Sequence, residues 1–273
     1  MSSLPPHRLD AAFAARKAEG RAAFVAYLCA GDPDLPRTLG IMKALEAAGA
    51  DVIELGVPFS DPMADGIVNQ MAAHRALEAG ASLPGVLELV RDFRAGSELP
   101  IVLFTYLNPV YAYGFERFHH DAAAAGADGV LLLDLPPDES PHNPELHELP
   151  DLRHIRLIAP TTPAARLPEL ARAAEGFLYY VSREGVTGAQ TTLAEGIEAN
   201  VAAIREQTDL PIAVGFGIST PEQAAEVARA ADGVVVGSAI VRQIAQHGAE
   251  ADLPARIEAF VRPLVEATHA ARR

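Results

Sequence analysis

The chain is 273 residues long, and 36 Asp and Glu against 22 Lys and Arg leave it a formal charge of −14. That balance repels phosphate backbones and anionic lipid, which argues against nucleic-acid and membrane-surface roles but leaves room for a local anion pocket. A 49% hydrophobic content suffices for a sizeable core, and a single cysteine, Cys29, excludes an internal disulfide and any CxxC zinc site.

An amphipathic segment over residues 8–19 opens the pattern, and nothing ahead of it reads as a secretory signal. Apolar runs then follow at 22–30, 51–56, 100–106, 129–134, 154–159, 176–182, 211–217 and 233–237, with helical stretches between most of them. Most runs are continuously apolar, as strands covered on both faces are. About eight such strands alternating with helices close a (β/α)8 barrel. Leu39, Met42, Leu45 and Ala48 form one helical stripe with Lys43 and Glu46 off it, and Thr220 before Pro221 and Glu222 predicts a helix cap. AGAD at 48–51 and at 125–128, and AAD at 230–232, each lead into a strand and read as a compact αβ turn. Pro141, Pro144 and Pro150 crowd the place of the fourth crossover helix, so a broken or very short helix is expected there. A second amphipathic segment covers 254–267. No linker divides the chain and no run approaches the ~18 apolar residues of a membrane span. The expectation is a single α/β domain over 1–273: a (β/α)8 TIM barrel with a short N-terminal helix and a C-terminal helix, soluble and cytoplasmic.

In such a barrel, chemistry sits where strands end and the following loops begin. Glu54 lies inside an apolar strand, where an ionised carboxylate is costly; it is a lip residue, a carboxylate paired within the barrel, or a group tuned for acid/base work. Asp61 and Asp65 follow in a loop dense in Pro, Gly and Asp, where each taken alone also fits a turn. Gly215-Phe216-Gly217 and Gly237-Ser238 end the last two strands, and glycines before a helix N-terminus suit a phosphate. The stretch 182–188, bracketed by Gly185 and Gly188, suits a lid. His142, His147 and His154 match no metal spacing, Ser60 lacks a hydrolase elbow, and neither a Walker lysine motif nor a dinucleotide fingerprint occurs.

These residues also carry a resemblance. ELGVPFSDPMADG at 54–66, with GDP at 31–33, TYLNPVYAYG at 105–114, DLPPDES at 134–140, YYVSREGVTGA at 179–189, GFGI at 215–218 and GSAIV at 237–241, is similar to the tryptophan synthase α family, in order and across nearly every βα loop. The resemblance implies a lyase of aromatic amino-acid biosynthesis that cleaves indole-3-glycerol phosphate to indole and glyceraldehyde 3-phosphate. It further implies an αββα heterotetramer in which pyridoxal phosphate belongs to the β chain and this chain needs no cofactor or metal. By resemblance Glu54 is the general acid/base and Asp65 the carboxylate facing the indole N–H. Tyr179 lies near the glycerol portion, and Gly188, Gly217, Gly237 and Ser238 hold the phosphate. Tyr27, Tyr106 and Phe216 surround the indole, while Asp61 and Thr187 meet on loop closure. Asn69 departs from the pattern, standing where the family usually has an apolar pocket residue.

Three other readings compete. A stand-alone lyase without a β partner would share the chemistry. A catalytically silent phosphate-binding regulatory subunit would have no use for both Glu54 and Asp65. An aminoaldose-phosphate isomerase barrel would not need the long VPFSDPMADG loop.

Overall fold

The computed structural model describes residues 7–136, 152–182, 191–215 and 217–271, with residues 191–195 as backbone alone. Among the described residues nine strands pair in parallel: β1 (Ala23–Cys29), β2 (Val52–Gly56), β3 (Ile101–Thr105), β4 (Gly129–Leu132), β5 (Arg153–His154), β6 (Arg156–Ile158), β7 (Leu178–Val181), β8 (Ile212–Gly215) and β9 (Gly233–Val236). Their order is β5-β4-β3-β2-β1-β9-β8-β7-β6. β5 and β6 are two halves of one stave on either side of Ile155. The first half pairs with β4 and the second with β7, so the run at 154–159 joins the two ends of the sheet into a barrel. Ile155 N–H still donates to the Val130 carbonyl at 2.9 Å, and the change of partner comes one residue later. The expected eight staves are therefore present, one of them split.

α1 (Arg8–Ala18) precedes the first strand, and the other helices surround the barrel: α2 (Leu35–Ala48), α3 (Ile67–Glu78), α4 (Leu83–Arg94), α5 (Leu107–Tyr113), α6 (Phe115–Ala125), α7 (Leu167–Ala173), α8 (Thr191–Arg205), α9 (Pro221–Ala230), α10 (Ser238–His247) and α11 (Leu253–Ala270). The proline-rich stretch around Pro141, Pro144 and Pro150 lies outside the described residues. The α2 stripe buries Met42, Leu45 and Ala48 as expected and adds Ile41 and Thr38, while Leu39 stays half-buried. Thr220 caps α9 through a reciprocal pair with Gln223, with Pro221 at the first helical position.

The unbroken apolar runs have a simple cause: both faces of each strand are buried. Alternate residues, among them Val25, Val52, Val102, Leu131, Ile155, Phe177, Ala213 and Val235, fill the barrel interior with Leu9 and Phe13 of α1. The intervening residues, such as Phe24, Ile53, Leu103 and Val214, pack against the helices. Phe13 rests on Phe177 at 5.1 Å, so α1 closes the N-terminal end of the barrel.

The Asp of each repeated AGAD or AAD turn does more than turn the chain. Asp51, Asp128 and Asp232 accept the backbone N–H of Phe24, Ile101 and Ile212 in the preceding strand, at 2.7, 2.8 and 3.0 Å. Each carboxylate is also matched by arginine: Asp51 by Arg16, Asp128 by Arg8 and Arg94, Asp232 by Arg205. The repeat is one device used three times to pin strand starts, far from the mouth where chemistry belongs.

Candidate active site

At the C-terminal end of the barrel a cavity of about 390 Å³ opens, lined by Tyr27, Glu54, Asn69, Phe104, Tyr179, Ser182, Gly217, Gly237, Ser238 and Arg242 among others. The parallel register sets Tyr27 beside Glu54, and Glu54 beside Val102. Because inward residues alternate along a strand, β2 presents Val52 and then Glu54 to the interior. Glu54 is thereby the carboxyl group set into the floor of the mouth.

Its surroundings decide its chemistry. Glu54 is 0% exposed, and neither carboxyl oxygen has a hydrogen-bond partner among the described residues. Desolvation lifts its pKa to about 8, so near neutrality it holds a proton. Full burial rules out a lip residue, and a carboxylate paired within the barrel finds no partner among the described residues. Tyr27 and Tyr179 crowd above it, and small strand ends give them room. A Cβ on Gly56 would lie 2.6 Å from the Tyr27 hydroxyl, and one on Gly215 would lie 2.3 Å from that of Tyr179. Tyr27 also meets Phe104 edge-on at 5.1 Å, which builds an aromatic wall.

Asp65 is held differently. It follows β2 in the long loop and does not itself line the cavity. Its Oδ2 accepts the Tyr106 hydroxyl at 2.9 Å, its Oδ1 accepts Asn69 Nδ2–H at 3.4 Å, and Gln70 donates to its carbonyl at 2.8 Å. Burial raises its pKa, and the bonds from Tyr106 and Asn69 pull it back toward the ionised form. Two carboxyl groups of one mouth are thus treated oppositely: one left dry and unmatched, one given donors.

Tyr106 lies outside the cavity lining. Its hydroxyl accepts Ala64 N–H at 3.0 Å while donating to Asp65, and its ring meets Phe59 at 5.3 Å, so it braces the loop. Asp61 is exposed and accepts the Ser60 hydroxyl at 2.6 Å. The GDP turn anchors the same region from below: buried Asp32 holds Arg75 of α3 in a two-bond ion pair at 2.9 and 2.7 Å. That pair fixes the helix on which the Asp65 loop lands.

The opposite wall suits an anion. Gly217 adopts φ +56°, and Gly237 directly precedes α10, whose free N–H groups and dipole face the cavity beside Ser238. Arg242, one turn into α10, is the cation of the described lining. Reading the sequence loop by loop misses it, because it stands inside a helix; its i+4 spacing from Ser238 was the available signal. Phe216, Gly188, Thr187 and the rest of 183–190 lie outside the described residues, as do His142 and His147. His154 stacks on His119 at 5.1 Å in the first half of the split stave, where burial lowers its pKa to about 3.

The comparisons with known proteins point one way. The tryptophan synthase alpha chain family profile matches residues 13–269. The chain is 50% identical over 268 residues to a tryptophan synthase alpha chain of Phenylobacterium zucineum, covering 97% of each. It is 49% identical to that of Opitutus terrae over 262 residues, 96% of this chain and 98% of the other. The crystal structure of tryptophan synthase subunit alpha from Legionella pneumophila superposes with a TM-score of 0.88 at 38% identity, covering 97% of this chain and 100% of that one.

Proposed function

Since the chain belongs to the tryptophan synthase alpha chain family, we propose that Glu54 and Asp65 carry out its carbon–carbon lyase reaction, the cleavage of indole-3-glycerol phosphate to indole and glyceraldehyde 3-phosphate. The observation that carries this reading is Glu54: a fully buried carboxyl group without a hydrogen-bond partner among the described residues, in a cavity lined across from it by Gly217, Gly237, Ser238 and Arg242.

The geometry supports a definite division of labour. Protonation of indole C3 by Glu54 makes the ring an indolenine, whose C=N bond is the electron sink for the retro-aldol step. The glycerol hydroxyl then loses its proton to the Glu54 carboxylate, the C–C bond breaks, and aldehyde and indole leave with Glu54 protonated again. Asp65, whose donors from Tyr106 and Asn69 favour its ionised form against burial, stabilises positive charge on the ring nitrogen. Gly217, Gly237 and Ser238, with Arg242 behind them, hold the phosphate, and Tyr27, Phe104 and Tyr179 enclose the reacting atoms. Gly188 and Phe216 are proposed for the phosphate and the indole, and Asp61 with Thr187 for loop closure, on family resemblance. The ring supplies its own electron sink, so the chain needs no cofactor.

A β-chain partner in an αββα assembly, with pyridoxal phosphate on the β chain, is part of the same proposal. Its support is an apolar surface beside the mouth: Met63 is 93% exposed, Ile67 68% and Met71 47%, with Tyr111 at 47% on α5 after the neighbouring strand. Large apolar side chains grouped in solvent mark a contact surface. No helix among the described residues is long and apolar enough to cross a membrane, and a cytoplasmic setting fits the free, buried Cys29. The test is indole release from indole-3-glycerol phosphate by the chain alone and with added β chain. Slow release that rises with β chain supports the reading, fast release unaffected by it supports the stand-alone lyase, and none in either case refutes both.

A further inference from the structure

We propose that Asn69 and Tyr27 make the aryl end of this cavity a site for a hydroxylated ring, so that the substrate class of the chain includes indole-3-glycerol phosphates bearing a hydroxyl at C7. The inference rests on the function proposed above and deepens it by naming a substrate class for the same site.

Asn69 stands in the first turn of α3, four residues after Asp65, and its Nδ2–H donates to Asp65 Oδ1 at 3.4 Å. Turning the amide over would set two acceptors against one another, so the carboxylate fixes which end faces it. The oxygen on the other side is buried and has no hydrogen-bond partner among the described residues, on a side chain that lines the cavity. Tyr27 reaches the same face of α3. It packs with Ala72, Ala73 and Ala76, which follow Asn69 at helical spacing. The Tyr27 hydroxyl makes no hydrogen bond among the described residues either. Val68, Phe104 and Val235 of the same lining are apolar.

An acceptor and a hydroxyl left unmatched in such surroundings gain nothing from an unsubstituted six-membered ring. One ring hydroxyl meets both, donating to Asn69 Oδ1 and accepting from Tyr27. A buried carbonyl without a donor is costly, and the hydroxyl removes that cost on binding. The ring position follows from Asp65. With its carboxylate at the ring N–H, as proposed above, the side chain bonded to that carboxylate stands along the N–H edge of the ring. C7 is the carbon of the six-membered ring nearest the nitrogen on that edge that can carry a substituent. A leucine at position 69 with a phenylalanine at position 27 would fill the same space and distinguish a hydroxyl from a methyl group only weakly.

The test compares 7-hydroxyindole with 7-methylindole, which has nearly the same shape and lacks the hydroxyl's donor and acceptor. Both are titrated by calorimetry into the full-length chain, Tyr27→Phe and Asn69→Leu, with thermal melts to verify folding. Wild type is expected to bind 7-hydroxyindole about ten-fold more tightly, and each variant to lose most of that preference. 4-Hydroxyindole, with its hydroxyl on the opposite edge, is expected to show no such advantage over 4-methylindole. With β chain present, cleavage of the indole-3-glycerol phosphates substituted at C7 should follow the same order in kcat/KM. Equal or weaker binding of 7-hydroxyindole by wild type, no binding of either 7-substituted ring, or an intact preference in either variant overturns the proposal and leaves the lyase reading standing. A wild-type chain that releases no indole from indole-3-glycerol phosphate overturns the lyase reading, and the proposal with it.

Discussion

Glu54 sets two measurable expectations at the scale of a single residue. Glu54→Gln should lower cleavage by about 10²–10⁴-fold, the usual loss for a positioned general acid/base, with glycerol phosphate binding unchanged by calorimetry. The same burial has a thermodynamic consequence. The folded chain holds the Glu54 proton up to about pH 8, while an unfolded chain releases it above about 4.5. Stability that is fully present below about 4.5 is therefore lost as the pH rises toward 8, by roughly 1.4 kcal/mol per pH unit. Glu54→Gln does not titrate, so its melting temperature relative to wild type should climb between pH 5 and 8; a constant difference would refute the raised pKa. Tyr106→Phe removes the Asp65 Oδ2 donor. It should slow cleavage and shift the acidic limb upward, because Asp65 then ionises less readily in its partly buried place.

At the scale of an element, α10 and the strand turns carry different burdens. Ser238 and Arg242 belong to the first turn and a half of α10, so Ser238→Ala and Arg242→Ala should each weaken glycerol phosphate binding several-fold without affecting indole. The loss in Arg242→Ala should shrink as salt is raised, since its charge is exposed. Gly237 is a poorer probe than it looks from sequence. A Cβ there would lie 3.2 Å from the Tyr27 ring, so a larger residue would disturb the aromatic wall and the anion site together. Of the three aspartate clamps, the one at Asp128 gathers two arginines and a strand N–H. Asp128→Asn keeps an acceptor for Ile101 but strands Arg94, and should cost about 3 kcal/mol by urea unfolding. Catalysis per folded molecule should be unaffected, since the clamp lies at the opposite end of the barrel.

Across the whole molecule the acidic charge and the proposed phosphate site are compatible, because the wall proposed for the anion is assembled from backbone N–H groups, one hydroxyl and one arginine. The barrel separates its tasks by end. α1 and the aspartate–arginine clamps hold the N-terminal face, while the loops after β2, β8 and β9 line the cavity at the other, where the chemistry is proposed. Asp32 and Arg75 serve the second of these ends, tying α3, and with it the Asp65 loop, to the turn after β1.

Sequence alone determined the elements and their closure. Runs buried on both faces lose the period-two alternation, and about eight of them between helices leave few ways to close a sheet. The same reading placed Glu54, the loop with Asp65 and the Gly237-Ser238 helix start, because strand ends mark the mouth of a barrel. Other features required the tertiary structure. The family resemblance puts Tyr106 around the indole, and only in space is it seen that its hydroxyl meets a carboxylate 41 positions away in the chain. The AGAD repeat reads as a turn, and its clamp function depends on strand N–H groups about 27 residues distant. Whether a carboxyl group is paired, as Asp65 is, or left dry, as Glu54 is, follows from which side chains the barrel brings within hydrogen-bond distance. That proximity is set by strand register and loop path rather than by spacing along the chain, and it is what leaves one carboxyl group without donors and gives the other two.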